Sequence, residues 1–232
     1  MLNDVKLSSV PPRKSTPPVK LTAELIARTA LDLLNEVGLD GLTMRALARR
    51  LNVQAPALYW HVKNKQELLD AMATIMYADT VGGIEAPRRG VEWDEWAADW
   101  AKRLRRTMLR YRDGARVFAG TAVTDPLVFR TVELALATLQ DGGFELRTAA
   151  RAYPVLLHYT VGFTIEEQSR LGVDYGDENP YGDGVLEARI DRERFPLTAA
   201  VLADLFDPDT DRGFEDGLRV VLEGIRRVGL GG

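Results

Sequence analysis

The stretch TMRALARRLNVQAPALYWHVKNK, residues 43–65, decides the fold. Its first part reads as a short helix: Thr43 offers a side-chain oxygen to cap free amides, and Leu47, Ala48 and Leu51 share one apolar face. Asn52 closes that helix, because asparagine tolerates the left-handed backbone in which helices end. A second short helix is predicted over Gln54–His61, with Pro56 near its start, where a missing amide hydrogen costs least. Asn64 then caps a longer helix, with Glu67 three residues on as a capping-box partner. That helix carries Leu68, Leu69, Met72 and Ile75 and runs to about Thr80.

Upstream, Ile26, Ala30, Leu33, Leu34 and Val37 recur at helical spacing between a cap at Thr22 and a stop at Gly38. Residues 1–20 read as a flexible arm, rich in proline (Pro11, Pro12, Pro17, Pro18) and basic through Lys6, Arg13, Lys14 and Lys20. Such an arm is either an untidy terminus or a segment that touches phosphates or a minor groove. Downstream, Gly82 to Gly90 reads as a linker, and helices are predicted near 92–110, 114–120, 125–140, 146–170, 196–206 and 210–228. The Gly-, Asp- and Asn-rich stretch from Gly172 to about Phe195 reads as a long loop. No two-residue alternation sustains itself, so the fold class is all-α.

Composition narrows the function. The chain has 232 residues, 46% hydrophobic and 28% charged, as expected of a globular protein rather than a disordered one. It has no cysteine, which removes disulfides, thiolate zinc sites and cysteine nucleophiles, and fits a reducing, cytoplasmic setting. No apolar run approaches the ~18–20 residues that span a bilayer, and the proline-rich start does not read as a signal peptide. The net charge of −4 hides an asymmetry: residues 1–67 hold ten Lys/Arg against six Asp/Glu, the remainder twenty against twenty-eight. A basic small unit joined to an acidic large one suggests that only the first meets a polyanion. With two histidines, no G-x-S-x-G and no metal-ligand spacing, an enzyme is not the expectation.

Residues 54–65 contain no Asp or Glu, which suits close approach to phosphates. A helix-turn-helix needs one helix to brace across the DNA backbone, a second to enter the major groove, and a small residue such as Ala48 where the two cross. The run from Gly41 to Leu51 and the run LYWHVKNK, residues 58–65, closely resemble the TetR family signature. The likeness continues through Tyr111–Thr121 and His158–Gln168 and covers about Leu21 to Val228, with 172–195 the poorest match. The resemblance implies a DNA-binding helix-turn-helix domain over 21–66 and an effector-binding and dimerisation domain over 67–232. It implies phosphate contacts for Thr43, Tyr59 and Lys65, and base contacts for Arg45 and Pro56. Arginine suits a guanine edge, since its fork donates to O6 and N7 together. Ala55 and Ala57 stand where the family carries a Gln and a Thr; their methyls can meet thymine methyls but donate no hydrogen bond, which shifts readout towards Gln54, Arg45 and Tyr59. Trp60 and His61 would lie at the groove edge, His61 being equally readable as packing, and Lys63 adds positive charge.

The resemblance also implies an effector site. Val81, Phe118 and Trp100 stand where a magnesium-chelated effector would meet histidines and an asparagine, while Glu166 matches the acidic position. An acidic residue alone holds hydrated magnesium poorly, so no cofactor is expected. Trp100, Leu104, Phe118 and Tyr153 suit a flat, largely apolar molecule, with Thr121, His158 or Glu166 supplying polar contacts. Trp93 and Trp96 share a helix face with Trp100 and read as core. The segment 146–170 is apolar on more than one side, as is the last helix, and pairing with symmetry mates in a homodimer would cover them. The function expected is a ligand-responsive repressor on a palindromic operator; the alternative is a dimeric DNA-binding regulator without an effector.

Overall fold

A computed structural model describes residues 20–84, 91–121, 125–170 and 184–231. Among them every regular element is a helix. Residues 1–19 of the arm, 85–90 of the linker and 172–183, half of the segment read as a loop, lie outside the described residues.

The first helix, α1 (Ala23–Gly41), is capped by Thr22, whose hydroxyl accepts from the Leu25 amide at 3.1 Å. It kinks at Gly38, where φ is +67°, so the stop read at that glycine is a bend within one element. Next comes α2 (Met44–Arg50), capped by Thr43 on the Ala46 amide at 3.1 Å. Asn52 takes φ of +54°, and the Val53 amide reaches back to the Ala48 carbonyl at 3.0 Å, tying off the helix end. Ala48 is buried at the tight turn into α3 (Ala55–Leu58). This helix is shorter than predicted: beyond Leu58 the chain continues as a turn, with the His61 and Val62 amides both donating to the Leu58 carbonyl. Leu58 and Val62 are buried and anchor this turn in the core.

The fourth helix, α4 (Lys65–Val81), starts on Asn64, whose side chain accepts from the Glu67 amide at 2.8 Å. In return the Glu67 carboxylate accepts from the Lys63 amide, one residue earlier than in a simple capping box. One side of α4 packs on α1, and another meets α5 (Trp93–Leu109), α6 (Gly114–Ala119) and α7 (Pro126–Asp141). The core therefore runs without a break from Leu34 and Leu47 through Met72 and Met76 to Trp100 and Leu104. Asp113, at φ +57°, opens α6, and Gly114 follows because a Cβ there would collide with the Met108 carbonyl.

The longest helix, α8 (Leu146–Arg170), turns Ala149, Ala152, Leu156, Thr160 and Thr164 to the core. One-turn α9 (Val185–Arg189) lies within the stretch read as loop; it is too short to show a period. The helix expected over 196–206 is two pieces, α10 (Pro196–Ala200) and α11 (Leu202–Leu205), because the backbone leaves helical geometry at Val201. Leu197, Val201 and Leu205 on these pieces are exposed. Last is α12 (Thr210–Leu230), which packs on α8 through Phe214 and Leu218. Val155 on α8 and Val220 and Val228 on α12 face outward at 50%, 73% and 80% exposure. No described helix is long and apolar enough to cross a membrane.

One buried ion pair locks this half together. Arg105 on α5 donates through two nitrogens to both carboxylate oxygens of Glu167 on α8, and through a third to Asp211 on α12 at 2.7 Å. Its guanidinium also lies 4.9 Å from the centre of the Phe214 ring. Burial opposes the charge, but the hydrogen bonds Arg105 donates to Glu167 and Asp211 outweigh it, so the Arg105 pKa is raised.

Candidate functional site

Two sites emerge, one on the small N-terminal bundle and one inside the larger helical body. The first is the surface of α2, α3 and the turn after α3. Arg45, Gln54, Pro56, His61 and Lys63 are exposed there, and Ala55 and Ala57 are half-buried. Trp60 is 89% exposed and Tyr59 48%, an arrangement water tolerates poorly for aromatic rings. Thr43 uses its oxygen as a cap acceptor, which leaves its hydroxyl proton free to donate outward. Lys65 is exposed too, but its ammonium donates to the Leu39 carbonyl at 3.1 Å, fastening the start of α4 to the end of α1. Sequence reading treated Lys65 as a phosphate holder only; this second attachment depends on a chain reversal that no local pattern displays.

The second site is a cavity of about 490 Å³. Its walls are Tyr77 of α4, Phe118 and Ala119 of α6, Thr121 just beyond, and Val128 of α7. The remaining wall is α8, through Tyr153, Leu157, His158, Val161, Gly162 and Ile165. Phe118, Thr121, Tyr153 and His158 are thus brought together as the sequence suggested. Trp100 and Leu104 are not in the lining: both are fully buried behind it, and the Trp100 ring supports Tyr153 at 5.3 Å. Glu166 is also outside the lining, exposed on α8, because one position along a helix turns a side chain ~100°. Its neighbour Glu167 is the buried partner of Arg105.

Tyr77, Leu157, Val161 and Ile165 escaped the sequence reading. The last three continue from Tyr153 at four-residue spacing, a signal that was present but indistinguishable from core. The Tyr77 and Tyr153 hydroxyls stand 3.4 Å apart, and Phe118 lies nearly parallel to Tyr77 with centroids at 6.4 Å. Burial, followed by the neighbouring Tyr77, pushes the Tyr153 phenol well above its usual range. Thr121 donates its hydroxyl to the Phe118 carbonyl at 2.9 Å, which fixes the end of α6.

The cavity wall is wired to the small bundle at both ends of α6. On one side, Asp113 accepts from the Leu39 amide at 2.8 Å and Asn35 from the Arg112 amide at 2.7 Å. On the other, Gln66 in the first turn of α4 donates to the Gly120 carbonyl at 3.1 Å. Gln168 on α8 holds the same segment, accepting from Ala115 at 3.0 Å and donating to Tyr111 at 2.8 Å.

Residues 26–72 match the family of bacterial regulatory proteins described as tetR family, and residues 86–228 match the tetracyclin repressor-like C-terminal domain. This chain belongs to the tetR family. It is 39% identical over 208 residues to the class A tetracycline repressor protein of transposon 1721 from Escherichia coli, covering 90% of this chain and 92% of that one. A possible TetR family transcriptional regulator from Streptomyces coelicolor superposes with a TM-score of 0.80 at 41% identity, covering 89% and 99%. The class A TetR in complex with 5a,6-anhydrotetracycline and magnesium gives 0.64 at 34% identity, covering 89% and 99%.

The tetR-family frame invites a test for magnesium. The described lining offers one imidazole and no carboxylate or side-chain amide, whereas magnesium wants several oxygen ligands. Val81 and Trp100 are buried apolar side chains outside the lining. Nor do the described residues hold any group of three or more His, Asp or Glu suited to a metal. The donor set does not fit a magnesium-chelated effector.

Proposed function

We infer that this tetR-family chain is a ligand-responsive transcriptional repressor, cytoplasmic, which binds a palindromic operator as a homodimer. A small, flat, largely apolar molecule entering the cavity releases it. The observation that carries the reading is α6: it forms a cavity wall through Phe118 while hydrogen bonds at its two ends hold α1 and α4. A ligand that shifts this wall necessarily strains bonds to the part of the chain that reads DNA.

On the DNA side, α2 braces and the α3 turn enters the major groove. Thr43, Tyr59 and Lys65 hold phosphates; Arg45, Gln54 and Pro56 meet bases, with the Ala55 and Ala57 methyls against thymine. Trp60, His61 and Lys63 flank the groove. Contact with DNA explains why Trp60 is left in water. The outward valines of α8 and α12 and the exposed leucines of α10 and α11 supply the apolar surface for pairing two copies. Pairing sets two heads ~34–36 Å apart, one turn of the duplex.

The test is selection of bound sequences from a random duplex library at two salt concentrations, followed by titration with aromatic compounds. A palindrome with half-sites about one turn apart, released by a compound, supports the whole reading. Selection of a palindrome that no aromatic compound releases would leave a DNA-binding regulator without this effector. Weak, sequence-blind binding would overturn the operator assignment.

A further inference from the structure

Besides the His158 imidazole, the cavity has a polar feature that no other described residue satisfies. Tyr77 on α4 and Tyr153 on α8 enter from opposite walls and meet at 3.4 Å, longer than the ~2.7–2.8 Å of a good hydroxyl hydrogen bond. Two hydroxyls carry two protons, and a mutual bond spends one at most. No other described residue accepts from either. Both rings are packed, Tyr77 beside Phe118 and Tyr153 against Trp100, so the hydroxyls are presented to the cavity in a fixed setting. Around them the wall is carbon: Val128, Leu157, Val161 and Ile165. None of the described lining residues is Asp, Glu, Lys or Arg, and His158 is their one basic side chain, so a charged ligand would meet no permanently charged partner there.

The geometry points to the Tyr77–Tyr153 pair as a subsite for one ketone or quinone oxygen on an uncharged polycyclic aromatic effector. This rests on the cavity being the effector site. One acceptor oxygen takes both phenolic protons, and a carbonyl oxygen does so while bringing no proton of its own into a wall that is otherwise largely carbon. Because burial holds Tyr153 protonated, it stays a donor throughout the physiological range. Two donors at ~2.8 Å along the lone pairs of one carbonyl oxygen stand ~4.8 Å apart. They are 3.4 Å apart in this structure, so filling the subsite spreads α4 from α8.

The experiment titrates full-length protein with 2-(hydroxymethyl)anthraquinone, 2-(hydroxymethyl)anthracene and anthraquinone-2-carboxylate, using the wild type, Tyr77→Phe, Tyr153→Phe and the double variant. Calorimetry reads affinity, and infrared difference spectra read the carbonyl stretch of the bound quinone. In the wild type the stretch moves to lower wavenumber, and the carboxylate binds most weakly of the three. The quinone-to-hydrocarbon affinity ratio falls about three- to tenfold in the double variant, while affinity for the hydrocarbon stays put. An unshifted stretch in the wild type, which requires no variant to fold, overturns the subsite. So does an unchanged ratio in the double variant; in both cases bound rings would leave the cavity standing as the effector site. If none of the three compounds binds, the effector-site reading fails and the subsite fails with it.

Discussion

Replacing Glu167 by glutamine removes one charge and almost no volume, and it strikes the ion pair that joins three helices. Glu167 is 4% exposed, and its carboxylate takes two hydrogen bonds from Arg105, whose own side chain is 8% exposed. Removing one member of a buried pair costs ~3–5 kcal/mol, because the surviving charge keeps its desolvation penalty and loses its compensation. Arg105 retains Asp211 at 2.7 Å and the Phe214 face at 4.9 Å, and a cation over an aromatic ring returns ~1 kcal/mol. The lower end of the range, ~3 kcal/mol, is therefore expected. For a chain of this length that is a fall of ~6–12 °C in melting temperature. Asp211→Asn is the internal control: its side chain is 85% exposed, and loss of such a partner costs ~1 kcal/mol or less. Melting is followed by calorimetry at one fixed protein concentration, since pairing of chains makes the midpoint concentration-dependent. The doubly apolar Arg105→Met, Glu167→Met chain should melt within a few degrees of wild type. Equal, small losses for Glu167→Gln and Asp211→Asn would refute the view that burial, rather than the number of bonds, sets the cost.

Four further outcomes are expected. Arg45→Ala should cost ~1–3 kcal/mol of operator binding and relax one position of the selected palindrome; unchanged sequence preference would remove Arg45 from base reading. Gln66→Ala cuts the link from α4 to Gly120, so effector affinity should stay within about twofold while the effector's weakening of operator affinity shrinks several-fold; anisotropy of a labelled duplex reads both. Phe118→Ala should blunt the effector response without touching operator affinity, and a lost affinity would make Phe118 structural. Tyr159 donates to the Phe214 carbonyl at 2.8 Å, and burial pushes its phenol up to about 12. The folded chain then holds a proton that the unfolded chain releases near pH ~10, so this contribution is complete below ~10 and lost as pH rises towards 12. Absorbance at alkaline pH should show the late titration, and Tyr159→Phe should flatten the loss of stability between pH ~10 and ~12.

What the sequence revealed is what local chemistry encodes. Thr22, Thr43 and Asn64 cap the helices they precede, and Asn52 is left-handed where the pattern demanded a stop. The helical period located α5, α7, α8 and α12 to within a few residues. One-turn helices such as α9 and α11 carry too few residues for a period, and the length of α3 is decided by where Leu58 and Val62 find cover. The cavity was half legible. Phe118, Thr121, Tyr153 and His158 came from resemblance, whereas Tyr77 is one more side chain in the apolar stripe of α4 until α8 is set against it. Arg105 and Glu167 lie 62 residues apart and give no sign of pairing in one dimension.

Tyr77 reaches the cavity from the helix whose first residue, Lys65, fastens the DNA-facing bundle. A bulk-changing exchange at Tyr77 reshapes the cavity wall and, at the same residue, the packing of α4 against α6. For a biosensor built on this chain, selectivity and background expression are therefore coupled at that position. Val128 and Leu157 touch the same cavity from α7 and α8, away from the helix that starts at Lys65, and they are the places to begin retuning the dose–response.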